Sequence, residues 1–271
     1  MCQRECVLFG FNSQMKKCRT HKKLFTSELS EEVSWKYYSD SDFVAVPKDC
    51  KDLREDNQTS TGVYDIYPYG TLIIPVRVYC DMTTMGGGWT AIQKRVDGSV
   101  SFDRTWREYK NDFGSPEQEV WVGNDVIHLL TKGKNSSLFV SITLEDEETF
   151  YEMYDGFSVS DEAGKYQLFL AGPATGTLEY NLQKTLCLTL VTPITTICLG
   201  MFFSTPDRDN DGSSDRHCAA YSYTRGGWWF NNCHDAFLNG QWSSESWLKP
   251  WFPKVRSASS IRETTMMIRR H

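Results

Sequence analysis

Four aspartates lie within nine residues in the second half of the chain: Asp207, Asp209, Asp211 and Asp215. Carboxylates that alternate along a loop can direct their oxygens at one hard cation, and calcium prefers six to eight oxygen ligands. The order D-x-D-x-D-G matches the first half of an EF-hand loop, but the twelfth position is Cys218 instead of a glutamate. An EF-hand is therefore excluded. The remaining alternatives are a calcium site of another type and a solvated acidic turn.

A second stretch with chemical potential combines aromatic residues with a cysteine and a histidine. Trp228, Trp229 and Phe230 precede Cys233 and His234 by a few residues. His234 could contact a ligand or pack as a structural histidine, whereas the two tryptophans are expected to lie in the core. A zinc site that combines His234 and Cys233 with the preceding His-Cys pair is disfavoured, because neighbouring residues on a strand point to opposite faces.

Cysteine usage and two sequons favour an oxidising, secreted setting. The chain has nine cysteines and no C-x-x-C pair, and N-x-[ST] sequons occur at Asn57 and Asn135. Widely spaced cysteines in such a context favour disulfides, and the sequons predict surface glycosylation. The odd count leaves at least one thiol for an interchain bond, an upstream partner or a free sulfhydryl. No apolar signal region follows Met1, so a fragment or an incomplete N-terminus is expected.

Composition excludes several classes of protein. The 271 residues carry a formal net charge of −6, which gives no electrostatic reason to bind nucleic acid or anionic lipid. No stretch approaches 18 consecutive apolar residues, so no membrane span is expected. The sequence also lacks the H-E-x-x-H, G-x-S-x-G and Walker motifs, which favours a binding protein over an enzyme.

The elements that must position these residues are short. Apolar patterns predict strands at residues 71–79, 89–93, 138–144, 167–171, 186–191, 197–203 and 264–268, and helices at 106–110 and 120–130. The glycines at 86–88 predict a turn rather than a phosphate cradle, because no helix N-terminus with Lys-Ser/Thr follows. Many short strands with few helices predict an α+β fold.

A series of motifs runs in order from residue 50 nearly to the end of the chain. It comprises Cys50-Lys-Asp-Leu, Thr61-Gly-Val-Tyr-Asp, Val78-Tyr-Cys-Asp-Met, Gly86-Gly-Gly-Trp-Thr-Ala, Phe203-Ser-Thr-Pro-Asp, Gly226-Gly-Trp-Trp-Phe-Asn-Asn-Cys-His and Leu238-Asn-Gly. The series resembles the C-terminal domain of fibrinogen, a family that also includes ficolins, tachylectins, tenascins and angiopoietins. For residues 50–271 the resemblance implies a twisted antiparallel sheet, short helices and a loop-rich C-terminal subdomain for calcium and ligand.

The N-terminal segment differs in texture. Residues 1–25 resemble the tail of a PAN/apple domain, with Cys-x3-Cys, then Phe9-Gly-Phe-Asn, then Lys17-Cys18. Residues 26–49 are polar and charged, which is typical of a linker.

The family resemblance also implies disulfides and a calcium site. The implied disulfides are Cys50–Cys80 and Cys218–Cys233. Cys187 and Cys198 lie outside the usual pairs, so they are expected to form either a third disulfide or two buried thiols.

For Ca²⁺, the resemblance assigns side-chain oxygens to Asp209 and Asp211, completed by two main-chain carbonyls and waters. The family usually has one residue fewer between Asp211 and the next cysteine. That insertion leaves Ser213, Ser214 and Asp215 as alternative carbonyl donors.

In lectin members of the family, a small pocket beside the calcium site holds acetyl groups. The peptide bond that enters the matching cysteine is cis, which here would be Asn232–Cys233, and His234 matches the pocket histidine. Tyr221 and Tyr223 are rival candidates for the pocket aromatic, because this chain has two extra residues between Cys218 and the Trp pair. The loop that supplies later pocket tyrosines is shortened here, and Trp247, Trp251 and Phe252 are the candidates to replace them.

Two alternative functions therefore remain, and the first is favoured. The first is a secreted, calcium-dependent recognition protein that binds acetylated carbohydrates on microbial surfaces in innate immunity. The second is an extracellular structural or signalling module that binds a protein partner without sugar. Weak single lectin sites gain strength by multivalency, so a homo-oligomer suits the first function.

Overall fold

This computed structural model describes the chain at residues 8–12, 17–21, 36–39, 46–70, 74–171, 174–178, 197–221, 225–234, 236–242, 255 and 261–271. The chain divides into two compact units, Met1–Val46 and Pro47–His271. The first unit contains an antiparallel sheet of order β2-β1-β3, with β1 at Leu8–Asn12, β2 at Lys17–His21 and β3 at Lys36–Ser39. Strand β3 lies inside the stretch 26–49 that the sequence predicted to be a linker.

The second unit is built on one large antiparallel sheet. Its strands are β4 (Gly62–Ile66), β5 (Val76–Asp81), β6 (Trp89–Arg95), β7 (Phe113–Gly114), β8 (Val120–Trp121), β9 (Ser136–Leu144), β10 (Thr149–Tyr154), β13 (Thr175–Gly176) and β15 (Ile261–Arg270). A smaller sheet contains β11 (Ser158–Val159), β12 (Leu168–Ala171) and β14 (Ile197–Leu199). The helices are α1 (Cys50–Glu55), α2 (Trp106–Asn111) and α3 (Asn124–Thr131), with short 3-10 turns at Thr84–Gly86 and Cys218–Ala220.

Strand order places the last strand near the middle of the large sheet. The order is β13-β10-β9-β15-β6-β5-β4, and β8 pairs with both β6 and β7. Strand β15 therefore bonds to β9 on one side and to β6 on the other. Because side chains alternate between the faces of a strand, neighbouring residues serve different clusters. Leu138 and Val140 belong to the main core, whereas Phe139 packs with Trp89 and Met267 on the opposite face.

The α+β fold expected from the sequence is confirmed, and most local predictions agree with it. The expected strands at 89–93, 138–144, 167–171 and 264–268 correspond to β6, β9, β12 and β15, and the expected helix at 106–110 is α2. Strand β14 ends at Leu199, earlier than expected, and β5 starts only at Val76. The strand expected at 186–191 lies outside the described residues.

One helix was predicted to start too early. Val120 and Trp121 form strand β8, which pairs with β6, and α3 starts only at Asn124. Gly123 separates the two elements with φ of +97°, and a Cβ atom there would lie 1.8 Å from the carbonyl oxygen of Asn111. The expected helix at 120–130 is therefore wrong at its start, since apolar residues of a short buried strand fit a helical pattern equally well.

Side-chain caps stabilise the N-termini of helices α1 and α2. Thr105 and Glu108 form a capping box at the start of α2, and Trp106 and Tyr109 turn the helix face into the core. Asp49 caps α1, a helix that the sequence reasoning missed. None of the helices described combines the length and the apolar content needed to cross a bilayer.

Candidate functional site

The acidic loop (residues 207–218) lies next to the aromatic stretch (residues 228–230), because the backbone just before the loop pairs with that stretch. Ser204 and Trp228 exchange two backbone hydrogen bonds of 2.9 and 3.0 Å. Trp228 and Trp229 are buried, and the indole N–H of Trp229 donates to the carbonyl oxygen of Tyr166 at 2.8 Å. The prediction that both tryptophans belong to the core is confirmed.

Asp209 and Asp211 lie together in the loop. The backbone N–H of Asp211 donates to Asp209 Oδ1 at 3.2 Å. Asp211 itself accepts the backbone N–H groups of Ser213 at 2.8 Å and Cys218 at 2.7 Å. Burial and the adjacent Asp209 raise the pKa of Asp211 above its ordinary value, despite the two donated N–H groups. Two neighbouring carboxylates are a donor set whose combined negative charge a cation would neutralise.

The residues that follow are arranged differently. Asp215 accepts the hydroxyl of Ser213 at 2.8 Å and pairs with Arg216 at 3.1 Å, and these contacts lower the pKa of Asp215. The Asp215 side chain is therefore already occupied, and Ser214 is exposed. Which two of the three expected carbonyl donors would complete a metal shell stays a prediction.

The donor set fits calcium only with help from oxygens other than side-chain carboxylates. In the described part of the chain, no group of three or more His, Cys, Asp or Glu side chains is placed to hold a metal ion. Two carboxylates are hard oxygen donors of the kind calcium prefers, and main-chain carbonyls and waters commonly complete its shell. The carboxylates of Asp209 and Asp211 fit that chemistry.

The acidic loop and the cysteine-histidine segment form one bonded unit. The disulfide Cys218–Cys233 joins them, with a Cα–Cα distance of 5.4 Å. Gly212 N donates to the carbonyl oxygen of Asn231 at 3.0 Å, and a Cβ atom at Gly212 would lie 2.5 Å from Asn231 Oδ1. The Asn232–Cys233 peptide bond is cis, where the family resemblance placed it.

The structure describes some of the expected pocket residues and not the others. His234 is half-buried as a residue, but both of its ring nitrogens are inaccessible to solvent, and its ring centroid lies 5.9 Å from that of Phe230 and 5.1 Å from that of Phe237. Asn232 and Tyr221 are exposed. The remaining candidates lie outside the described residues: Tyr223, Trp247, Trp251 and Phe252.

Comparison with known proteins identifies the family. The family model described as the C-terminal globular domain of fibrinogen beta and gamma chains matches residues 46–271. The chain belongs to this family. The family model begins at residue 46, so it gives no support to the expected PAN/apple resemblance of residues 1–25, which stays a prediction.

Individual relatives agree with the family assignment. Human fibroleukin is 37% identical over 238 residues, which is 82% of this chain and 51% of fibroleukin. The chain spans about half the length of the curated relatives it matches. The fibrinogen-like globe domain of human ANGPTL6 has 33% identity and a TM-score of 0.70, covering 83% of this chain and 96% of that one. A lamprey fibrin D-dimer complexed with the peptide ligand Gly-His-Arg-Pro-amide has 30% identity and a TM-score of 0.68, covering 82% and 73%.

Disulfides of the fibrinogen C-terminal domain are present as expected. Cys50–Cys80 has a Cα–Cα distance of 5.5 Å and joins α1 to β5. Both disulfide predictions are confirmed, and the bond at Cys218–Cys233 rules out zinc at those cysteines. Cys187 lies outside the described residues, so its pairing with Cys198 stays a prediction. Both sequon asparagines, Asn57 and Asn135, are exposed.

Sequence reasoning missed the connection between the sheet and this fibrinogen-type site. Arg95 of β6 is buried and donates from Nη1 to the carbonyl oxygens of Leu238, at 3.1 Å, and of Gly240. Gln93 donates to Asn239 Oδ1 at 3.2 Å, and Asn239 donates to the carbonyl oxygen of Gly227 at 3.0 Å. The signal was the Leu238-Asn-Gly motif, whose function as a bridge to the aromatic stretch only the structure reveals.

Proposed function

We propose that this fibrinogen C-terminal domain is a secreted, calcium-dependent recognition module that binds acetylated carbohydrates beside the Cys218–Cys233 disulfide. One observation carries the proposal: the acidic loop and residues 231–234 are joined by hydrogen bonds and a disulfide. A cation that fixed the acidic loop would therefore also fix the backbone that enters Cys233.

Calcium would be held by Asp209 and Asp211, with carbonyls from two of Ser213, Ser214 and Asp215. When bound, it would supply positive charge that neutralises the two carboxylates and orders the loop. The N–H of Cys218 already donates to Asp211 Oδ2, so an ordered Asp211 also places the disulfide.

The proposed ligand class is the one that the resemblance to lectin members of the family implies for the surroundings of His234. An acetyl group presents a carbonyl oxygen and a methyl group, and small pockets recognise such ligands with a few polar donors and apolar walls. The buried rings of Phe230 and Phe237 pack against the imidazole of His234 and against each other, and would form the apolar floor beneath the proposed pocket. Asn232, Cys233, Tyr221, Tyr223 and Trp247 are the further proposed contacts.

An extracellular setting is proposed for the same molecule. The described residues contain the disulfides Cys50–Cys80 and Cys218–Cys233, which suit an oxidising compartment. The exposed asparagines of the two sequons, Asn57 and Asn135, would be the sites of glycosylation, although Ser136 and Ser137 of the second sequon are buried. Acetylated glycans on microbial surfaces would then be the accessible targets.

The proposal is tested by calorimetry on the full chain from an oxidising host. N-acetylglucosamine is titrated with calcium and again with a chelator, and glucosamine, which lacks the acetyl group, is the matched control ligand. We expect heat only with N-acetylglucosamine plus calcium, and its loss in His234→Ala. Calcium binding without sugar heat at millimolar concentration would refute the acetyl pocket, and no calcium effect would refute the calcium site.

A second candidate function is binding of a protein partner without sugar. It is favoured by the lamprey fibrin D-dimer, which is structurally similar and was solved with a bound peptide ligand. Under this alternative the same calorimetry would show calcium binding and no response to acetylated sugars. Titration with Gly-His-Arg-Pro-amide would then give a calcium-dependent signal if the two proteins share that peptide preference.

A further inference from the structure

We propose that Asp207 is a positioning residue, which anchors the acidic loop on helix α2 and leaves Asp209 and Asp211 to hold the cation. This inference rests on the proposed calcium site. The alternation of the three aspartates suggests equivalent ligands, but the structure places the first one in a different environment from the other two.

The carboxylate of Asp207 reaches a helix that lies far away in sequence. Its Oδ1 accepts the backbone N–H of Trp106 at 2.8 Å, across 101 residues of chain. The same oxygen accepts the hydroxyl of Thr205 at 2.7 Å. The first N–H groups of a helix have no partner inside the helix. Asp207 therefore satisfies a group that the capping box of Thr105 and Glu108 leaves open.

The segment around Asp207 is a tight turn with a second contact to α2. Thr205 and Arg208 exchange backbone hydrogen bonds of 3.0 and 2.9 Å. The guanidinium of Arg208 lies over the indole of Trp106, 4.2 Å from the ring centroid. The backbone and the side chain of Trp106 thus both hold residues 205–208.

Downstream, Asp209 and Asp211 make contacts within the loop itself. The contacts described for Asp209 and Asp211 involve each other and the backbone of Ser213 and Cys218. Between them, Asn210 donates to Ser204 Oγ at 3.0 Å and to the carbonyl oxygen of Phe203 at 2.9 Å. The loop is consequently anchored at its start by Asp207 and at its end by the Cys218 disulfide.

Anchoring affects cation binding through conformational freedom. A loop that is ordered in advance loses less entropy when its ligand binds, so its affinity is higher. Loss of the Asp207 anchor should weaken calcium binding although no metal ligand has been removed.

Two substitutions separate a positioning residue from a metal ligand. Asp207→Asn keeps an acceptor oxygen for Trp106 and Thr205 but removes the charge, whereas Asp207→Ala removes both. For a positioning residue we expect calcium affinity within about threefold of the parent for Asp207→Asn, and weaker by about tenfold or more for Asp207→Ala. Calorimetric calcium titration of the full chain measures both, and Asp146→Ala, in the turn between β9 and β10, is the control for loss of one negative charge.

A metal-free measurement keeps the test independent of the calcium proposal. Amide hydrogen exchange in chelator should be faster at residues 205–212 in Asp207→Ala than in Asp207→Asn or the parent. Equal weakening of calcium binding by both substitutions would show that the charge matters and would overturn the positioning role. Unchanged binding and exchange in Asp207→Ala would overturn it as well. Absence of calcium binding by the parent would instead refute the proposed calcium site, while the exchange pattern would still decide whether Asp207 anchors the loop.

Discussion

Glu119 shows how one buried side chain can organise a loop. Its carboxylate is fully buried and accepts four backbone N–H groups. Oε1 accepts from Val96, Asp97 and Gly98 at 2.8, 3.1 and 2.8 Å, and Oε2 accepts from Val100 at 2.8 Å. A buried charge is tolerated only when it is paired or hydrogen-bonded, and this one is surrounded by donors. Glu119 thereby fixes residues 96–100, against which Trp242 packs at Gly98.

We predict that Glu119→Gln destabilises the domain by roughly 2 kcal/mol, because the new amide turns N–H donors toward a backbone N–H that needs an acceptor. Urea unfolding measures the change. The matched control is Glu117→Gln, whose side chain pairs with Arg77 at 2.8 Å in an exposed position, so this substitution should change the free energy of unfolding much less than Glu119→Gln. Equal effects of the two substitutions would contradict the organising role of Glu119.

Between elements, Glu162 connects helix α2 to the loop before β12. It accepts the indole N–H of Trp106 at 2.8 Å and pairs with Lys110 in a short contact. Lys110 also reaches Asp125 of α3 at 3.3 Å, and Asp125 accepts the hydroxyl of Tyr166 at 2.6 Å. Helices α2 and α3 are thus joined to the chain segment that connects β11 and β12 of the smaller sheet.

The pKa of Glu162 gives this connection a pH dependence. Lys110 and the Trp106 indole hold the pKa of Glu162 below its ordinary value. Its stabilising contribution is therefore complete above the unfolded pKa of about 4.3 and is lost as the pH falls through the lower folded pKa. We expect Glu162→Gln to lower Tm near neutral pH, and the difference from the parent to shrink below about pH 4.3. Thermal scans across this range measure it. Glu145→Gln, at an exposed turn, should show no such convergence, and a constant difference at all pH values would disprove the linkage.

In the second unit as a whole, residues near its start contact residues near its end. Helix α1 lies at the start of the unit and β15 at its end, yet Arg270 of β15 donates from Nε to Asp49 at 2.7 Å and also pairs with Asp52. The disulfide from Cys50 fixes α1 to β5 in addition. The large sheet is complete only when the last strand has entered between β6 and β9. Folding of this unit thus depends on contacts between its first and last residues.

We predict that Arg270→Ala destabilises the second unit by roughly 2 kcal/mol, because it removes charge-assisted hydrogen bonds from the mostly buried Asp49. Arg262→Ala on the same strand removes an exposed pair with Glu147 and should cost about 0.5 kcal/mol or less. Denaturant unfolding compares the two, and amide exchange in α1 should increase only in Arg270→Ala. Similar stabilities of both variants would show that the ends contribute no more than a surface ion pair.

The sequence by itself determined what depends on local pattern and on residue identity. The many short strand patterns and the few helical patterns were sufficient to predict the α+β class. The motifs from Cys50 to Leu238-Asn-Gly were sufficient to predict the family and both confirmed disulfides. The start of α2 is also local, since Thr105 and Glu108 cap the helix that contains them.

Only the tertiary structure decided which different contacts residues of the same type make. Three aspartates alternate in the acidic loop, but Asp207 bonds to Trp106 across 101 residues, a partner that the neighbouring sequence does not identify. Val120 and Trp121 became a strand because β6 was there to pair with them. The physical reason is the same in both cases: hydrogen-bonding groups and apolar side chains are satisfied by partners distant in sequence, and the identity of those partners is set by the packed fold.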